Sequence, residues 1–147
     1  MLKDELIKYY YPPNGHNYNC AEAMLRAVND YYKLNLPEKM LYSVSGFGGG
    51  AGHDLLCGGL QSAIITLGVL FSVNGRGHDS ELLNQLTDRL LSEFAERMGH
   101  TDCVFLKSHY HVPEHKCESV LVKACDILEE LISENIEHVN RFDKESM

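Results

Sequence analysis

The 147-residue sequence has no C-x-x-C pair, no surplus of positive charge, no convincing alternating strand and no glycine loop that ends in Lys-Ser or Lys-Thr. Each absence removes a class of function. Without C-x-x-C there is no zinc ribbon and no thioredoxin-type motif, and an odd count of five cysteines does not make a fully paired disulfide scaffold. With 21 acidic against 13 basic side chains, net charge −8, the chain lacks the phosphate-attracting surface of a sequence-independent nucleic-acid binder. G-x-S-x-G and H-E-x-x-H are missing, and no cysteine–histidine spacing picks out a nucleophile, a base and an orienting group. The segment Met1-Leu2-Lys3-Asp4-Glu5-Leu6 carries acids early and precedes no apolar run with a cleavage site, so no secretory leader is expected. The expected compartment is therefore cytoplasmic and reducing, with the cysteines as thiols.

What is present is an ordinary globular balance, 44% apolar and 23% charged, at a length that suits one domain over 1–147. Leu55 to Gly75 carries no charged side chain and is long enough to raise a membrane span. Gly58, Gly59, Gln61, Ser62, Thr66, Gly68 and Ser72 dilute its hydropathy, which favours a buried central helix over about 55–73.

The rest reads as helices between glycine- and proline-marked connections. A short first helix over Leu2 to Tyr11 stops at Pro12-Pro13. Asn17 or Asn19 caps a helix over about 20–34, and Leu36-Pro37-Glu38 opens a short one through Val44. Asp79 or Ser80 caps a helix with Leu82, Leu83, Leu86, Leu90, Phe94 and Met98 on one face, and Gly99 ends it. Thr101-Asp102 starts a short turn of helix through Phe105, 108–115 reads as a polar loop, and a last helix covers about 115–138. The charged tail 141–147 is expected to fray. The fold class is all-α: a single-domain bundle of about five to six helices around the apolar one.

On this map four cysteines share a position. Cys20, Cys57, Cys103 and Cys117 each fall in the first turn of a helix, where unpaired N–H groups and about half a positive charge favour thiolate. Cys125 sits mid-helix on the apolar stripe and reads as a small core residue.

Asn19-Cys20-Ala21, Gly46-Phe47-Gly48-Gly49-Gly50 leading to Cys57-Gly58-Gly59, then Cys103 and Cys117, together resemble the redox-active family named for its C_GCAxxG_C_C cysteine pattern. The resemblance runs over about residues 17–132. The middle block departs from the pattern, with Leu56 before Cys57, Gly58 after it and Gln61-Ser62 where a further glycine is expected. The resemblance implies a small cytoplasmic protein whose cysteines are redox-active or metal-associated.

Ser108 to Cys117 packs His109, His111 and His115 beside Cys117, a zinc-like set of donors without the spacing of a known finger. His16 and His53 flank Cys20 and Cys57 in sequence and are further candidates, whereas His78, His100 and His138 read as surface residues. The loop Gly46–Gly52 matches a loose dinucleotide fingerprint, but a helix precedes it where that fingerprint needs a strand. Bare backbone there suits a close approach that delivers Cys57 to its helix. The tyrosines read as helix-packing residues.

Beside an interaction protein whose cysteines only pack, two functions follow. The first is a thiol redox protein using Cys20, Cys57, Cys103 and Cys117 as catalytic residues, with Cys57 as the attacker that the glycine loop makes accessible. Its partner is a redox protein or a small thiol or disulfide, with no nucleic acid and no membrane, and with self-association left open. The second is a non-catalytic zinc or iron–sulfur module built from the same cysteines with His109, His111 and His115.

Overall fold

The computed structural model describes residues 1–10 and 17–141. Among them are seven α-helices: α1 (Leu2–Tyr10), α2 (Cys20–Tyr31), α3 (Glu38–Tyr42), α4 (Gly58–Phe71), α5 (Glu81–Met98), α6 (Cys103–Tyr110) and α7 (Glu118–Glu134). The all-α class is as expected, with more helices than the five to six anticipated. The shortest is α3, a five-residue turn started by Pro37 where the sequence places a short helix. No helix among the described residues is long and apolar enough to cross a membrane.

Helix α4 is the centre. Its small residues let neighbours come close, and α2, α5 and α7 pack around it. A Cβ added at Gly59 would stand 2.2 Å from Leu121 Cδ2 of α7. Ser62 and Thr66 are fully buried but satisfied: the Ser62 hydroxyl donates to the Ala21 carbonyl at 2.7 Å, and that of Thr66 to the Ser62 carbonyl at 2.9 Å. Leu2, Leu6 and Tyr10 make a buried stripe at four-residue steps that seats α1 on α2 and α7. Leu86, Leu90 and Phe94 do the same for α5. Gly99, at φ 95°, closes α5 in the left-handed conformation that glycine allows.

Several boundaries move. The central helix is shorter than 55–73, because Leu55-Leu56 leave the glycine loop extended and Leu56 forms an antiparallel bridge with Asp102. Helix α6 continues past Phe105 to Tyr110, so Ser108 and His109 are helical rather than loop. The Phe105 and His109 rings stack at 3.9 Å, and the Tyr110 hydroxyl donates to the Met98 carbonyl at 2.9 Å. A bridge between Val112 and Lys116 then occupies the chain, and α7 starts only at Glu118. It ends at Glu134, followed by a 3-10 turn over Ile136–His138. Ser80 is the N-cap residue of α5, as expected, but its side chain makes no cap hydrogen bond; the hydroxyl donates to the Arg76 carbonyl and accepts from the Val73 N–H. Pro12, Pro13, His16 and the tail beyond Arg141 lie outside the described residues.

Candidate functional site

Four helices begin at a cysteine. Cys20 is the first residue of α2 behind its cap Asn19, and Cys103 the first of α6 behind Asp102. Cys57 and Cys117 are themselves the N-cap residues of α4 and α7. Those four starts surround one cavity of about 290 Å³, lined by all four cysteines with Tyr10, Tyr18, Leu106 and Val120 as its apolar wall.

Local structure explains each placement. The Leu56–Asp102 bridge ties the chain before Cys57 to the chain before Cys103: the Cys57 N–H donates to the Thr101 carbonyl at 3.0 Å, and the Cys103 N–H to the Leu55 carbonyl at 2.6 Å. His100 holds that turn, its Nδ1 accepting the N–H groups of Thr101 and Asp102, both at 2.9 Å. Cys20 is set by Asn19, whose Oδ1 accepts the Glu22 N–H and whose Nδ2 donates to the Ser45 carbonyl, both at 3.0 Å. Cys117 is set from α1, its N–H donating to the Tyr10 hydroxyl at 3.1 Å.

The glycine loop is a left-handed turn, with Gly49, Gly50, Ala51 and Gly52 at φ between 61° and 68°. At Gly50 this matters twice over, since an added Cβ would stand 2.4 Å from the Leu55 backbone nitrogen. The loop folds onto the chain that leads into α4, as close approach of bare backbone suggested. It does not open Cys57 to solvent.

Burial decides the electrostatics. Cys57 is only 6% exposed, and loss of water pushes its thiol up to about 12, with nearby Cys20 acting the same way. The Leu60 and Gly59 N–H groups pull in the other direction without winning. Burial likewise pushes Cys117 up to about 11 and raises Cys103, where the Lys107 ammonium opposes it. The expectation that helix starts turn these cysteines into low-pKa thiolates is thus corrected for all three: desolvation of the thiolate outweighs the partial charge of a helix end. The reading of Cys57 as the accessible attacker is corrected for the same reason.

A family model described as "Putative redox-active protein (C_GCAxxG_C_C)" matches residues 18–131. The chain belongs to this family. No curated protein and no solved structure matches it.

In this C_GCAxxG_C_C protein the matched span holds the four cavity cysteines and Cys125. Cys125 lies elsewhere, fully buried in the core with its sulfur 3.8 Å from the Met24 sulfur. Of the three histidines grouped with Cys117 in sequence, only His111 lines the cavity. His109 turns onto Phe105, with its Nδ1 2.9 Å from the Phe105 carbonyl, and His115 Nδ1 pairs with Glu118 at 3.3 Å. His53 is exposed on the glycine loop. Among the described residues no group of three or more Cys, His, Asp or Glu side chains is arranged to hold a metal ion. The zinc and iron–sulfur alternative therefore finds no ready ligand set among the described residues.

Tyr10, Lys107 and Lys116 also line the cavity and are not among the candidates that the sequence singles out. Lys107 had a legible signal: it stands four residues after Cys103 on one helix, which puts both on one face. His100, a surface residue by its sequence surroundings, is exposed, yet it orders the turn before Cys103. Nothing local marks Tyr10, since it meets Cys117 across 107 positions.

Proposed function

We propose that this C_GCAxxG_C_C protein is a single-domain cytoplasmic thiol–disulfide carrier whose cavity cysteines pass electron pairs to a disulfide. The observation that carries the reading is that four cysteines from four separate segments line one cavity, while the fifth is buried in the core. Cys103 is the first attacker. It is half-buried rather than buried, and the Lys107 ammonium stabilises its thiolate. The Cys103 sulfur attacks one sulfur of the disulfide RSSR, forms a Cys103–S–S–R bond and releases one thiolate, which takes up the proton that Cys103 lost. A neighbouring cavity thiol then attacks Cys103 Sγ, closes a protein disulfide and releases the second RSH. Two protein thiols are oxidised and one disulfide is reduced to two thiols.

The raised thiols suggest the direction of flow. A strong oxidant needs a reduced state stabilised as thiolate. Cys57 and Cys117 lack that stabilisation, which favours the protein as donor and the disulfide as acceptor. The test is a thiol count on folded, fully reduced protein after exposure to a small disulfide. Loss of two or four of the five thiols is expected; five free thiols under conditions that oxidise the unfolded chain would overturn the reading.

A further inference from the structure

The cavity has a charge that the molecule does not. The chain is strongly acidic at −8, yet among the described residues the only Lys, Arg, Asp or Glu side chains that line the cavity are Lys107 and Lys116. Asp54, Asp102 and Glu118 belong to the same segments and none of them lines it. Lys107 is 51% exposed at the outer edge and bridges to Asp54 at 3.4 Å, a surface pair that a ligand can compete with. Lys107 stands four residues after Cys103 on α6 and lines the same cavity, on the same face as the reacting sulfur. Lys116 has no ion-pair partner among the described residues and is half-buried beside Cys117. Its backbone sits at φ 52°, a left-handed conformation unusual for lysine, fixed by the bridge to Val112.

Between these two cations the wall is apolar, and the volume falls at the small end of ordinary ligand cavities, which run from about 300 Å³ upward. Such a space suits a short carbon stem with its disulfide inside and a negative group at the mouth. We infer that the disulfide this cavity accepts is a small carboxylate-bearing molecule, recognised by Lys107 and Lys116. The inference rests on the thiol-exchange reading above. It adds the chemical class of the acceptor: an anion, on a protein whose net charge repels anions.

Three small disulfides of similar size separate the terms: dithiodipropionate, which is anionic, hydroxyethyl disulfide, which is neutral, and cystamine, which is cationic. Second-order oxidation rates are measured on the full reduced chain at low and high ionic strength, and again with Lys116→Glu and Lys107→Glu. The expected order is anionic over cationic by about tenfold at low salt, shrinking at high salt as the pairing is screened. Each lysine variant lowers that ratio by about threefold or more, a comparison that is independent of any common change in thiol reactivity. Equal rates, or cystamine reacting faster as the net charge alone dictates, would overturn the inference and leave the exchange reading standing. No reaction with any of the three, while the urea-unfolded chain reacts with all, would overturn the exchange reading itself.

Discussion

The sulfur of Cys20 lies over Gly58, so close that a Cβ on residue 58 would stand 2.7 Å from Cys20 Sγ. The same Cβ would stand 2.7 Å from the Phe47 carbonyl oxygen, which is backbone and cannot step aside. Gly58→Ala is therefore expected to destabilise by about 1–3 kcal/mol, the usual range for overpacking, and to displace Cys20 from the cavity. Gly59→Ala clashes with the methyl end of Leu121, which can rotate away, and meets Cys57 Sγ only at an ordinary 3.7 Å, so its effect is smaller. Urea unfolding of the two variants side by side checks that order.

The left-handed turn predicts opposite signs at neighbouring positions. Ala51 holds φ 61° and ψ 31° in exposed chain, a conformation that strains any side chain by about 1–2 kcal/mol. Ala51→Gly removes that strain, offset in part by the freedom glycine has when unfolded, and should stabilise by up to about 1 kcal/mol. Gly50→Ala adds both strain and a clash with Leu55 and should destabilise strongly. Thermal melts of the pair decide the point.

Alkaline pH should weaken the fold through the cysteines. Burial holds Cys57 near about 12 and Cys117 near about 11, above the value of about 8.5 for an unfolded cysteine, and raises Cys103 and Cys125 as well. The folded state therefore keeps protons that the unfolded state gives up. That stabilisation is complete below about pH 8.5 and is lost as pH rises through the folded values. Buried Tyr10 and Tyr32 are also held protonated, and join the loss above about pH 10, where unfolded tyrosine titrates. Between about pH 8.5 and 10 the fall belongs to cysteine, so the urea midpoint should drop there and drop less in Cys57→Ser.

Tyr10 ties α1 to the cavity through one hydrogen bond. Tyr10→Phe keeps the ring and removes the hydroxyl that accepts the Cys117 N–H. The expected loss is about 1–2 kcal/mol, because a partly buried donor is left without its partner. Hydrogen exchange at the Cys117 amide should quicken more than at amides in the middle of α7.

Much of the fold was legible because its punctuation is local. Asn19 caps α2, Pro37 opens α3 and Gly99 ends α5 where residue chemistry alone places them. The placement of four cysteines at helix starts was legible for the same reason. Their burial was not: Cys57 is covered by side chains from other helices, and no local pattern reports that. The run Ser108-His109-Tyr110 reads as a polar loop, yet it is helical because Phe105, His109, Tyr110 and Met98 hold one another. The three histidines near Cys117 scatter because they fall on α6, at its C-cap and in the turn closed by the Val112–Lys116 bridge, which point them to different surroundings.

The central claim is that Cys20, Cys57, Cys103 and Cys117 act together and Cys125 does not. Peptide mapping after oxidation of the folded protein by a small disulfide, with the thiols that remain accessible then capped by a maleimide before unfolding and digestion, tests it most directly. The account predicts intramolecular disulfides drawn only from those four cysteines, with Cys125 recovered as a free thiol after unfolding. A disulfide that contains Cys125, or four cavity cysteines that stay free, would contradict it.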